Sequence, residues 1–450
     1  MLNYNSEETR SSITKFEQML KTNFIYFFDA QEFEDIVVHY LGFGDNQLAK
    51  KALKMGLEQH PDSNELLLLQ SEIFILEEKY DSALKLLDYV EKLNPLDEEI
   101  SLQKANIASK NGDHKSSIKF LNKALELSND SSEIWNLLGM EHLLAEEFDE
   151  ASYFFKNCIE DNPLDYSALY NLLYSYDHLN KNEESILVLN EILEIIPYSE
   201  VAWHQLGLVL LKKGNQKEAL SAFDFAIISD DNFTGAYIEK GKLLETMGRI
   251  NEAIDNYEIA LKTNDPSAFV FQSIGRCHEK LGNNVLAIKH YLKAIHLEPS
   301  NENSWVKLIE YYMAQGQYKK AKYYFKSALE INSESVTLWK KGTMIYKSLN
   351  QFQNELNAYQ KLYDLGVFEL PILIKHIDLL LQLKNWGKAY KITNEVYKSF
   401  PESKSLIHRL GGCSMELGKK SEARYFLSGE QLSSEELLEL SKLFPSFDQF

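Results

Sequence analysis

Small and apolar residues return along this chain at one fixed interval. Ala49, Ala83, Ala151, Ala219, Ala253, Ala287, Ala321, Ala389 and Ala423 are separated only by multiples of 34. Pro61, Pro95, Pro163, Pro197, Pro299 and Pro401 keep a second phase of the same period. Trp135, Trp203, Trp305 and Trp339 keep a third, and Gly112, Gly214, Gly248, Gly282, Gly316 and Gly418 a fourth. Both ends carry helical patterns of their own. Ile13, Phe16, Met19, Leu20 and Phe24 fall on one face of a helix over residues 6–25. Ser433 and Ser434 precede Glu435, Glu436 and the apolar run Leu437, Leu438, Leu440 and Leu443, which reads as a capped terminal helix. The apolar cluster at 24–28 is expected to pack on the first repeated unit.

A single compact core rarely grows beyond about 250–300 residues, and this chain has 450. With 9 Pro, 20 Gly and no Gly/Ser-rich or Pro-rich stretch, it offers no linker between separate domains. One elongated fold, in which each unit buries against its neighbours, is the expectation.

Residues 132–163 show the unit best: Trp135, Leu138, Gly139, Ala151, Phe155 and Pro163. Residues 200–231 repeat it with Trp203, Leu206, Gly207, Ala219, Phe223 and Ala226. A 34-residue period with these residue types resembles the tetratricopeptide repeat (TPR) family, and the resemblance covers roughly residues 30–428. It implies an all-α, right-handed superhelical solenoid of about twelve helix-turn-helix repeats. Residues 1–29 would form an N-terminal capping helix and 429–450 a C-terminal capping helix and tail. The aromatic knob early in each first helix would turn inward. Gly139, Gly207, Gly241 and Gly275 would allow close helix approach, and Cys158 fills a small packing slot. The turn glycines would end the first helix in the left-handed conformation. Several units depart from the pattern. Ser185 and Leu173 replace the Ala and Gly of one unit; in another, Gly342 sits one place early and Glu355 takes the Ala slot. The stretch before Pro371 breaks the pattern, so an irregularity is expected near 350–371.

In proteins similar to this one the first helices line a concave groove. The resemblance places Asn136 and Met140, Tyr170 and Tyr174, His204 and Leu208, and Gln272 and Arg276 toward that groove. Exposed aromatic and thioether side chains there suit an extended or helical peptide. Tyr170, Tyr174 and His204 are the expected hot spot. The Lys and Asn pattern that clamps acidic C-termini in some family members is absent, as is a ladder of groove asparagines: the slot reads Leu137, Asn171, Gln205, Glu239 and Ser273.

Charge narrows the partner class. Net charge is −20. Residues 301–400 hold 14 Lys and Arg against 9 Asp and Glu, whereas residues 1–300 hold 27 against 50. An acidic body repels phosphate, so neither nucleic acid nor an anionic membrane surface is the expected partner. No stretch approaches the roughly 18 apolar residues of a membrane span. Cys158, Cys277 and Cys413 are odd in number and far apart, which fits a reducing, cytoplasmic setting. No phosphate-loop, nucleophile-elbow or zinc-hydrolase motif occurs. His278 reads as a packed side chain, and Arg409 and Cys413 as surface positions. The expectation is a non-catalytic scaffold or adaptor, without metal or cofactor, that binds a protein segment in its groove. An RNA-binding helical-repeat protein and a regulatory subunit of an enzyme on another chain are the alternatives, and self-association is possible.

Overall fold

The computed structural model of the chain describes residues 7–22, 26–128, 130–263, 267–427, 441 and 443–445. These form twenty-five α-helices and no strand. After a first helix, Glu7–Lys21, the remainder are twelve pairs. The first helix of each pair spans 13 residues and begins 34 residues after the one before, from Ala30–Gly42 to Lys404–Glu416. The second helices begin at the same interval, from Asn46–Gln59 to Lys420–Leu427. The chain divides into two compact units, Met1–Ser229 and Asp230–Phe450, with six pairs in each.

Local chemistry starts and stops each helix. The residues preceding the first helices include Asp29, Ser63, Asp97, Asp165, Ser199, Ser267, Asn301 and Ser335, whose side chains accept a backbone N–H of the first turn. That satisfies a donor the helix cannot satisfy itself. Each first helix ends on a left-handed residue, again every 34 positions. Seven of the twelve are glycines, from Gly44 to Gly418; the others are Glu78, Glu146, Asn180, Asn350 and Lys384. A side chain with a Cβ is strained there, and Asn tolerates the strain best. Glu146→Gly is therefore expected to raise stability by about 0.5–1 kcal/mol, and Asn180→Gly by less. Urea denaturation of the two variants beside wild type measures the difference.

The alanine phase is the buried seam of each pair. All nine periodic alanines are fully buried. Ser117, Ser185 and Glu355 hold the remaining slots of that seam and are buried as well. Burial holds the Glu355 carboxyl above the usual range, although Lys347 opposes the shift. The packing glycines do something more specific than admit a neighbouring helix. A Cβ built on Gly139, Gly207, Gly241 or Gly275 would lie 2.5–2.8 Å from the ring of Phe155, Phe223, Tyr257 or Tyr291, sixteen residues on in the second helix of the same pair. Where the slot holds Leu173, the partner position holds Leu189 instead of a ring, and both are buried. Ile309 faces a ring position, Phe325; that ring lies instead over Gly342 of the next pair, 5.6 Å from Trp339 and 5.8 Å from Tyr346. The displaced Gly342 is thus compensation for a large residue one pair earlier.

The tryptophans are only partly buried. Trp203, Trp305 and Trp339 each donate the indole N–H to a backbone carbonyl six residues back, at 2.8–2.9 Å. They pin the inter-repeat loop as well as fill space. The irregularity expected near 350–371 is a changed helix end. Phe352–Asp364 is one residue short and closes on left-handed Gly366, with Val367 N–H donating to Leu362 O at 3.0 Å. The following helix, Leu370–Gln382, still starts in phase.

Phe16 and Met19 of the first helix are buried with Phe28 and Phe33. Of the apolar cluster at 24–28, Phe28 packs inward, Phe27 is exposed, and Phe24 and Ile25 lie outside the described residues. Of the expected terminal helix from Ser433 to Leu443, residues 433–440 and 442 also lie outside them; Leu443 packs on the last core cluster and Phe444 is buried against Gly412.

Candidate functional site

Consecutive first helices touch one another directly, as in Ala30–Gly42 with Asn64–Leu76 and Asn64–Leu76 with Glu98–Lys110 in the first unit. Ala268–Lys280, Glu302–Ala314 and Val336–Ser348 do so in the second. No two consecutive second helices make a comparable contact among the described residues. In these repeats the first helices are the more crowded side of the stack.

On their first helices, the fourth, fifth and sixth pairs of the first unit present a strip of apolar side chains. Met140 of Ser132–Leu144 is 37% exposed, and Tyr170 and Tyr174 of Tyr166–His178 are 46% and 50% exposed. Asn136, His204 and Leu208 are half-buried beside them. The strip is braced. Tyr174 meets the edge of Phe148 and lies 4.6 Å from His178, which stacks on Phe148 at 4.3 Å. Asn171 Nδ2 lies 3.4 Å from Met140 Sδ. Partial burial raises the Tyr170 hydroxyl pKa, and Gln205 hydrogen-bonds it in the opposite sense. His204 sits 5.9 Å from the Phe223 ring. Six of the eight residues expected toward a groove thus lie on three successive first helices of one unit.

The other two are corrected. Gln272 is buried, with its amide donating to Ser304 Oγ at 2.7 Å and accepting from Asn303 at 3.2 Å. Arg276 forks onto Glu245 of the preceding pair at 2.6 and 2.7 Å. Both spend their polar groups on neighbouring repeats rather than on a groove. Arg409 and Cys413 are buried rather than on the surface; Arg409 forks onto Asp378 at 2.6 and 3.0 Å. Burial lifts the Cys158 thiol to about 11 and those of Cys277 and Cys413 to about 12, so all three stay protonated near neutrality. His278 is buried and its pKa is lowered by that burial, as a packed imidazole requires. Among the described residues no three His, Cys, Asp or Glu side chains converge as metal ligands, and no helix is long and apolar enough to cross a membrane.

Two features went unread in the sequence. Glu65, Glu99 and Glu133 recur at the second position of successive first helices, and Glu99 and Glu133 border a cavity. In the second unit Lys340, Lys347 and Lys375 surround exposed Met344 in a cavity of about 380 Å³. Lys307, Lys341, Lys375 and Arg409 share one phase of the 34-residue period, a signal the charge count alone blurs.

Stacked helix pairs of one fixed length, presenting side chains from their first helices, define a helical-repeat protein. Tetratricopeptide-repeat family profiles match residues 35–98, 74–140, 166–199, 238–302 and 304–335. The chain belongs to the tetratricopeptide repeat family. It is 23% identical over 343 residues to a TPR repeat-containing protein of Methanocaldococcus jannaschii, covering 71% of this chain and 58% of that one. Anaphase-promoting complex subunit 3 of Schizosaccharomyces pombe is 25% identical over 205 residues, 46% of this chain and 31% of its own. The BBSome complex member BBS4 of Bos taurus is 23% identical over 320 residues, 70% and 61% respectively. The chain thus spans between about a third and three fifths of the length of these relatives. Among solved structures, the APC/C hetero-tetramer Cut9–Hcn1 aligns over 90% of this chain and 93% of its own at 14% identity and a TM-score of 0.36. YrrB, described as a TPR protein with an unusual peptide-binding site, aligns over 39% and 91% at 18% identity and a TM-score of 0.32.

Proposed function

We propose that this chain is a non-catalytic, cytoplasmic interaction scaffold. It binds a segment of a partner protein on the first-helix face of its fourth to sixth repeats, at Asn136, Met140, Tyr170, Tyr174, His204 and Leu208. In the same reading residues 1–29 and 429–450 cap the stack. The supporting observation is the exposure of Met140, Tyr170 and Tyr174 on adjacent first helices, although Leu68 and Val306, in the same phase as Tyr170, are buried in their own repeats. Large, stiff side chains held by their neighbours bury area on binding at little entropic cost. Two relatives carry names of complex members, which agrees with a scaffold.

The test is quantitative affinity purification from the native host with wild type and a Tyr170→Ala/Tyr174→Ala/His204→Ala variant, circular dichroism showing both folded. A small set of proteins is expected with wild type and at least tenfold less with the variant, since hot-spot tyrosines contribute about 2 kcal/mol or more each. An unchanged set would place the contact elsewhere. Enrichment of RNA alone would sink the scaffold reading.

A further inference from the structure

A cavity of about 380 Å³ lies in the first unit, among the first helices of the second, third and fourth repeats. Glu72, Glu99, Glu133 and Glu141 line it, with Leu102 and Leu137 as apolar walls. Glu141 meets His114 Nδ1 at 2.9 Å. Among the described residues, Glu72, Glu99 and Glu133 have no cationic side chain at ion-pair distance. All three are exposed at the cavity mouth, in contrast to three less exposed carboxylates of the stack. Glu91, Glu245 and Glu310 each have two basic partners.

Gln103 gives an independent sign of a missing partner. It lines the same cavity and is only 7% exposed. Its Nε2 donates to Leu68 O at 3.2 Å and to Glu99 Oε1 at 3.0 Å. Both are acceptors, so the amide orientation is fixed. Its Oε1 is left buried with no donor. An orphaned buried acceptor is unfavourable in a native fold, and a donor from water or from a ligand relieves it.

Resting on the groove reading above, we propose that this cavity receives an arginine side chain of the bound partner segment. A guanidinium carries five N–H donors in a planar fork, enough to serve Gln103 Oε1 and two carboxylates together. Its aliphatic stem suits Leu102 and Leu137. A divalent cation fits poorly, because no three carboxylates converge as metal ligands among the described residues. The cavity adjoins the exposed strip through Ser132–Leu144, which carries both Glu133 and Met140. Although Glu99 is exposed, partial desolvation at the cavity raises its pKa, and Glu72, Asp97 and Glu133 add to the rise against the Gln103 hydrogen bond.

The experiment uses the full chain and an array of 12-residue synthetic Tyr- and Leu-rich peptides. Each is made once with a single arginine and once with citrulline, its neutral isostere. Wild type is compared with Glu99→Gln/Glu133→Gln, with the charge-matched control Glu184→Gln/Glu194→Gln, and with Tyr170→Ala/Tyr174→Ala. Glu184 and Glu194 are exposed and outside the cavity. Wild type and the control are expected to prefer arginine at least tenfold, and Glu99→Gln/Glu133→Gln less than twofold. The latter melts no lower than wild type, because it relieves repulsion. Persistence of the preference in Glu99→Gln/Glu133→Gln would assign it to overall acidity and overturn the cavity. If arginine and citrulline peptides bind alike, and Tyr170→Ala/Tyr174→Ala abolishes both, the groove stands and the cavity fails. If no peptide of either kind binds, both readings fall.

Discussion

Gly207→Leu is expected to destabilise the first unit by about 3 kcal/mol or more, the upper end of overpacking costs. A Cβ at Gly207 would already lie 2.5 Å from Phe223 Cε1 and 2.7 Å from Cδ1. Phe223 is fully buried and part of the close-packed interior, so it has no free space to enter. The companion change Phe223→Leu should recover most of the loss, because the preceding repeat is built that way, with Leu173 and Leu189 in the same two slots. A double-mutant cycle measured by urea denaturation gives the coupling directly, and sites in contact commonly couple by about 0.5–3 kcal/mol. Additive losses would mean that the two positions do not exchange volume. In a repeat stack the loss need not spread evenly, so unfolding is best followed by hydrogen exchange as well as by an optical signal.

The second large effect concerns Arg276, which the sequence places toward a groove and the structure places in an inter-repeat ion pair. Arg276→Met is expected to cost about 2–3 kcal/mol, since it leaves the buried carboxylate of Glu245 with Lys280 as its remaining cation. The figure is below that for a fully buried pair because the Arg276 side chain is 35% exposed. Burial alone would raise the Glu245 pKa, but hydrogen bonds from Arg276 and Lys280 and their charges outweigh it, and the carboxyl titrates below its usual 4.5. The folded state therefore binds this proton less tightly than the unfolded chain. Its contribution is fully present above about pH 4.5 and is lost as pH falls through the lower folded value. Wild type should lose stability over that acid window more steeply than Arg276→Met. Parallel urea titrations at pH 3.5–7 decide it, and equal slopes would show that Arg276 does not hold the carboxylate.

Local rules on a fixed period made most of the fold legible. Small residues at Ala49, Ala83 and their successors can only mean close helix contact, and the glycines at Gly112 and Gly214 suit a left-handed turn that few other residues occupy comfortably. The sequence also named Met140, Tyr170 and Tyr174, which are exposed, although Tyr170 shares its phase with buried Leu68 and Val306. It misplaced Gln272 and Arg276 because position within a helix pair says which way a side chain leaves its own helix. It does not say what the neighbouring repeat offers. Ser304 and Asn303 lie one repeat onward and Glu245 one repeat back, and these partners turn candidate groove residues into structural ones. Arg409 went the same way through Asp378.

What the sequence by itself determined, then, is the repeat: its length, its turns, its buried seam and the family it belongs to, all set by contacts within about 34 residues. What only the tertiary structure decided is which polar groups are satisfied. Glu245 and Glu99 look alike in the sequence, yet one is neutralised by two cations and the other is crowded with carboxylates beside the orphaned Gln103. Hydrogen bonds and ion pairs depend on distances of a few tenths of an ångström between side chains of different repeats. A one-dimensional period fixes which helices meet but not how their side chains share the space between them.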